Sequence, residues 1–130
     1  MPIDVVAAAI VEDRRLLLVS KRQAPEIFYL PGGKREAGED DLACLHRELD
    51  EELGVAAVDA VPWCDVVAPA ALEPGQQLRM RVFLARLEGR PSPAGELARL
   101  HWWQRTDSLR LAPAIEHHVI PALTAAGLIG

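Results

Sequence analysis

The sequence predicts an α+β domain in which a mixed β-sheet is layered between helices. Two observations carry that prediction. Apolar, β-branched runs recur in both halves of the chain, and one strongly amphipathic segment at 40–54 separates them. The order is strands, helix, strands, helix. With 130 residues the chain is long enough for one domain with a real core and too short for two, so a single domain over 1–130 is expected.

"IDVVAAAIVE" and "RLLLVSKR" are apolar runs joined at Glu12-Asp13-Arg14, a hairpin signal. "FYLPGGKREAGE" is punctuated by Pro31, Gly32, Gly33 and Gly38 and reads as loop. In "DDLACLHRELDEEL", Leu42, Leu45, Leu49 and Leu53 lie on one helical face, Asp40 is placed to cap the helix, and Gly54 stops it. "VAAVDAVPWCDVVAPA" reads as one or two strands interrupted at Pro62, and "EPGQ" as a turn. "QLRMRVFLARLEG" alternates as a long strand with Leu78, Met80, Val82 and Leu84 on one side. "RPSPAGE" is loop, "LARLHWWQ" a short strand, and "TDSLRL" a capped helical turn. "PAIEHHVIPALTAAG" closes the chain as a helix that starts at Pro113, is kinked or split at Pro121 and ends at Gly127.

Composition narrows the function. Net charge is −5, which argues against a broad basic surface for gripping a nucleic-acid polymer. Cys44 and Cys64 are too few for a disulfide scaffold and sit in no metal-binding spacing, so reduced thiols and a cytoplasmic setting are expected. The N-terminal apolar run lacks a charged n-region and is read as a strand, and no apolar run approaches the ~20 residues that span a bilayer, so no membrane partner is expected.

The informative stretch is "RELDEELGV", where Glu48, Asp50, Glu51 and Glu52 crowd together. Like charges three and four apart repel, by a few tenths of a kcal/mol per pair. At 100° per residue, Glu48, Glu51 and Glu52 span about 100° beside the leucine stripe. Glu48 and Glu52, one turn apart, can share a cation, and hard oxygen ligands suit Mg²⁺ or Mn²⁺. A solvated acidic face is the alternative for these acids alone.

The spacing extends backward through Arg47 and Glu39 to Gly33. Together these residues resemble the Nudix box of the Nudix hydrolases, G-x5-E-x7-R-E-U-x-E-E-x-G-U with U aliphatic, over the 23 residues Gly33–Val55. Beyond the box, length and element order resemble a minimal MutT-like member. The resemblance implies the Nudix fold, an αβα sandwich around a mixed sheet. It also implies Mg²⁺-dependent hydrolysis, with Mn²⁺ as a substitute, of a pyrophosphate bond in a nucleoside triphosphate or another nucleoside diphosphate-linked small molecule. The alternative is a Nudix-fold module that binds a nucleotide without cleaving it, and homodimers are common in the family.

By resemblance, Glu48 and Glu52 are the principal metal ligands, Glu51 a further ligand or supporting acid, and the Gly32 carbonyl a backbone ligand. Glu48 is the first choice for general base, while Glu39 and Arg47 hold loop and helix together and orient the glutamates. A further acid from outside the box is expected on the metal. Glu96 is the best placed, and Glu73 and Glu88 compete. Arg22 and Lys34 are expected to meet phosphate, and Phe28, Tyr29 and Phe83 could wall a base pocket. Trp102 and Trp103 should face opposite sides of a strand, and His117 and His118 are read as surface residues. MutT-like readers of 8-oxoguanine are expected to use an Asn, and this chain has none, so an identical reading mode is impossible.

Overall fold

The computed structural model describes residues 2–130. β1 (Ile3–Glu12) and β2 (Arg15–Lys21) form the expected hairpin, with Asp13 and Arg14 at positive φ, 51° and 61°, as a tight two-residue turn requires. They are followed by β3 (Ala24–Tyr29), β4 (Gly32–Gly33), α1 (Asp41–Leu53), β5 (Ala56–Pro69), β6 (Gln77–Glu88), β7 (Leu97–Trp103) and β8 (Arg110–Leu111). The sheet runs β5-β6-β1-β2-β3-β8, with β4 beside β1 and β7 beside β2. It is mixed: β1 with β6 and β3 with β8 are parallel, and the other pairs are antiparallel.

Helices cover both faces. Val6, Ala8 and Ile10 of β1 pack with Leu45, Leu49 and Leu53 of α1, while Ala7 and Ala9 face Ile115, Val119 and Leu123 of the C-terminal helix. A strand buried on both sides has no polar alternation, which is why β1 reads as a continuous apolar run. β6 does the same, sending Met80 and Val82 to one core and Phe83 and Ala85 to the other. Trp102 and Trp103 likewise face opposite cores. No helix among the described residues is long and apolar enough to cross a membrane.

α1 is bounded as its caps dictate. Asp40 Oδ1 accepts from Ala43 N at 2.8 Å, and Gly54 ends the helix in the left-handed region at φ 70°. Leu42, expected in the buried stripe, is 41% exposed, and Cys44 fills the first turn's buried position instead. The buried face is therefore centred between the leucines and the Cys44–Glu48–Glu52 row.

Two stretches differ from the sequence reading, and two others resolve what it left open. The loop expected from Phe28 starts only at Leu30, because Ala24–Tyr29 pairs with β2 as β3, and Gly32–Gly33 pairs with β1. Residues 56–69 form one strand, which absorbs Pro62 in a register shift between Pro62 and Cys64. The segment read as a helical turn after Thr106 is instead a turn and a strand. The Asp107 carboxylate accepts from Gln104 N at 3.0 Å and meets His101 Nε2 at 2.8 Å, which leaves Arg110–Leu111 to pair with β3. The C-terminal helix opens at Pro113, widens into a π turn at Ile115–Val119, and continues as α2 (Ile120–Ala125). Pro121 lacks an N–H and its ring crowds the His117 carbonyl, and the wider turn, with Ile120 N–H donating to Ile115 O, accommodates both.

Candidate active site

The glycine pair is the floor of the site. β4 lays Gly32 and Gly33 against Ala7 and Val6 of β1, so closely that a Cβ on Gly32 would run into the Val6 carbonyl. A Cβ on Gly33 would collide with the Glu48 carboxylate, so that position must be glycine for the helix acid to approach the loop.

Arg47 ties the loop to α1. Its guanidinium grips Glu39 in bidentate fashion (2.6 and 2.9 Å) and donates to the Lys34 carbonyl at 3.0 Å. It also meets Glu51 at 2.9 Å and Glu48 at 3.3 Å. The paired arginine holds the Glu39 carboxyl down at about 2, helped by the Glu36 backbone N–H. The arginine thus offsets much of the repulsion among the box acids.

Two acids are turned inward. Glu52 is only 7% exposed, and its Oε1 accepts from Gly32 N at 3.0 Å. Burial pushes its carboxyl up to about 7, against the lowering effect of that hydrogen bond, and nearby Glu48 pushes the same way. Glu48 is raised as well, again chiefly by burial. Both acids and the Gly33 backbone line a cleft of about 470 Å³. Glu51 lies outside its wall, half-exposed on Arg47, and Asp50 is exposed.

The other expected residues divide. Lys34, Tyr29 and Glu96 line the cleft. Phe28 does not: it alternates with Tyr29 along β3, is 3% exposed, and packs edge-on against His101. Phe83 is buried in the core against α1, and Glu88 lies at the far end of β6. Arg22 also lies outside the cleft, donating to the Gly95 carbonyl at 2.6 Å while its N–H holds the Glu96 carbonyl. The base that the end of β2 brings to the cleft is Lys21, which sequence reasoning missed. It stands 3.7 Å from Glu96 Oε2 and 5.8 Å from the Tyr29 ring centre. A register shift between Ser20 and Lys21 makes the exchange, and a bulge of this kind leaves little trace in sequence. The loop carrying Glu96 is anchored to the end of α1, with Ala94 N donating to Glu52 O and Ser92 N to Leu53 O.

The NUDIX domain model matches residues 1–123. The chain belongs to the Nudix family. It is similar to the crystal structure of a MutT Nudix hydrolase from Burkholderia pseudomallei, with 34% identity, 79% of this chain and 83% of that chain covered, and a TM-score of 0.69. It is also similar to the solution structure of the E. coli ORF135 protein, with 28% identity, 95% and 91% covered, and a TM-score of 0.69. A curated Mycobacterium tuberculosis H37Rv protein, described as a candidate 8-oxo-dGTP diphosphatase 2, is 47% identical over 58 residues. That stretch covers 42% of this chain and 41% of that protein.

Nudix hydrolases generally use divalent metal ions. Among the described residues no three His, Cys, Asp or Glu side chains converge on one point. The two that do adjoin, Glu48 and Glu52, suit such an ion, because burial disfavours their charge and no lysine or arginine neutralises Glu52 directly. A magnesium-type ion ordinarily takes one or two carboxylates and completes its shell with water and substrate phosphate, so the pair fits.

Proposed function

We propose that this Nudix domain, over residues 1–130, is a Mg²⁺-dependent pyrophosphohydrolase acting on a nucleoside triphosphate or a related nucleoside diphosphate-linked molecule. The observation that carries the reading is the inward-turned Glu48–Glu52 pair in a cleft that Lys21, Lys34 and Arg35 also line. Acids to hold a cation and bases to hold phosphate are thereby brought to one place. The cation, when bound, would neutralise phosphate charge and make water a better nucleophile.

The chain's own residues supply the rest. Lys21 and Lys34 contact the phosphates. Glu48, its carboxyl raised by burial, takes the proton of the attacking water, and Arg47 fixes its orientation. Glu52 and Glu48 would hold the cation, with the Gly32 carbonyl and Glu96 as further ligands and Glu51 in a supporting place on Arg47. The setting we infer is the reducing cytoplasm, with neither a nucleic-acid polymer nor a membrane as partner, and with a homodimer as the assembly to test. No observation favours a binding module without chemistry, since every acid of the box is present.

The test is a panel of nucleoside triphosphates and diphosphate-linked nucleotides with Mg²⁺, Mn²⁺ or EDTA, with the released phosphate or pyrophosphate identified. Glu48→Gln should lower kcat by about 10²–10⁴-fold with the circular dichroism spectrum unchanged. A variant that turns over as fast as the wild type refutes the assignment of Glu48.

A further inference from the structure

The end of the cleft away from the glutamates is built differently. β1 and β6 run parallel with Ile3 opposite Leu78 and Val5 opposite Met80, and all four side chains line the cleft. From the glycine pair, at Val6–Ala7, to Ile3 is four residues of strand, about 13 Å. That is comparable to the reach of a nucleoside triphosphate from its middle phosphate to its base. Aliphatic walls suit the two faces of a base but cannot tell one base from another.

The β5–β6 connection continues past this end, since Ala68 pairs with Leu78 and Pro69 with Gln77. Its turn is closed by Gln76 N donating to Glu73 O at 3.1 Å and Ala70 N to Gln76 O at 2.9 Å. Ala70, Ala71, Leu72 and Glu73 line the cleft from this loop. Glu73 is thus the one polar side chain that either the loop or these strand ends bring to the cleft. Among the described residues no lysine, arginine or other side-chain donor engages its carboxylate. Its loop follows the Ile3–Leu78 end of the paired strands, whereas the glycine pair that meets Glu48 and Glu52 lies at Val6–Ala7.

We infer that Glu73 is a specificity residue that selects bases carrying an amino group on their hydrogen-bonding edge. The inference rests on the nucleotide-hydrolase reading of the cleft. A carboxylate accepts hydrogen bonds and does not donate. Cytosine N4, adenine N6 and the N1–N2 edge of guanine offer it donors. Uracil and thymine offer one N–H flanked by two carbonyl oxygens, which the carboxylate repels.

The experiment measures kcat/KM with Mg²⁺ for dATP, dCTP, dGTP, dTTP and dUTP, for the wild type and Glu73→Gln. The wild type should favour its best amino-bearing substrate over dUTP by at least about tenfold, the worth of one charge-assisted hydrogen bond. In Glu73→Gln, whose amide both donates and accepts, the ratio should fall to about threefold or less. Equal wild-type rates across the panel overturn the role of Glu73 and leave the hydrolase reading standing, as does a preference that survives in Glu73→Gln. A wild type that cleaves none of the five overturns the role of Glu73, and the hydrolase reading falls with it only if the diphosphate-linked nucleotides of the wider panel are also left intact.

Discussion

Glu52→Gln is the substitution whose consequence the structure sizes most directly. The carboxyl sits at about 7 in the folded protein against 4.5 in an unfolded chain, raised first by burial. At ~1.4 kcal/mol per pH unit, that difference is worth about 3 kcal/mol. The sign follows from proton counting. Between pH 4.5 and 7 the folded state binds more protons than the unfolded one, so stability falls as pH rises, and the full penalty stands above pH 7. Glutamine keeps an oxygen for the Gly32 N–H and carries no charge to bury. In EDTA at pH 8 the variant should therefore be more stable than the wild type by about 3 kcal/mol. With a urea m-value near ~2 kcal/mol/M, the midpoint should rise by roughly 1.5 M. At pH 4.5, where the unfolded group is half ionised, the two midpoints should lie within roughly 0.2 M of each other. Urea titrations at pH 4.5, 6, 7 and 8 decide it, and saturating Mg²⁺ should raise the wild-type midpoint but not the variant's. Parallel midpoints for the two proteins across this range would refute the reading of Glu52 as a buried, uncompensated acid.

Two further outcomes follow from the same geometry. Arg47→Lys removes the bidentate grip on Glu39 and cannot reach Glu51, Glu48 and the Lys34 carbonyl together. The concentration of Mg²⁺ giving half-maximal activity should rise about 10–100-fold with secondary structure retained, and an unchanged metal titration would count against a positioning role. Phe28→Leu trims a core side chain that does not touch the cleft, so it should cost about 1–2 kcal/mol in urea unfolding while KM stays within about twofold. A large rise in KM would place Phe28 back in the substrate pocket.

The sequence alone determined the parts of this protein that depend on neighbours along the chain. The cap at Asp40, the stop at Gly54 and the hairpin at Asp13–Arg14 are local events, and each stands where the residues put it. The box was legible for the same reason: Gly33, Glu39, Arg47, Glu48 and Glu52 are held together by one loop and one helix, so fixed spacing becomes fixed geometry. Tertiary structure decided what required distant strands to meet. Ala24–Tyr29 is a strand only because β2 and β8 flank it, and Lys21 displaces Arg22 from the cleft only because β2 shifts register against β7. The inequality among the acids is also tertiary. Glu51 and Glu52 are adjacent in sequence, yet one lies half-exposed on Arg47 while the other is buried under the Gly32 N–H. Desolvation depends on what packs around a side chain, and no spacing along the chain records it.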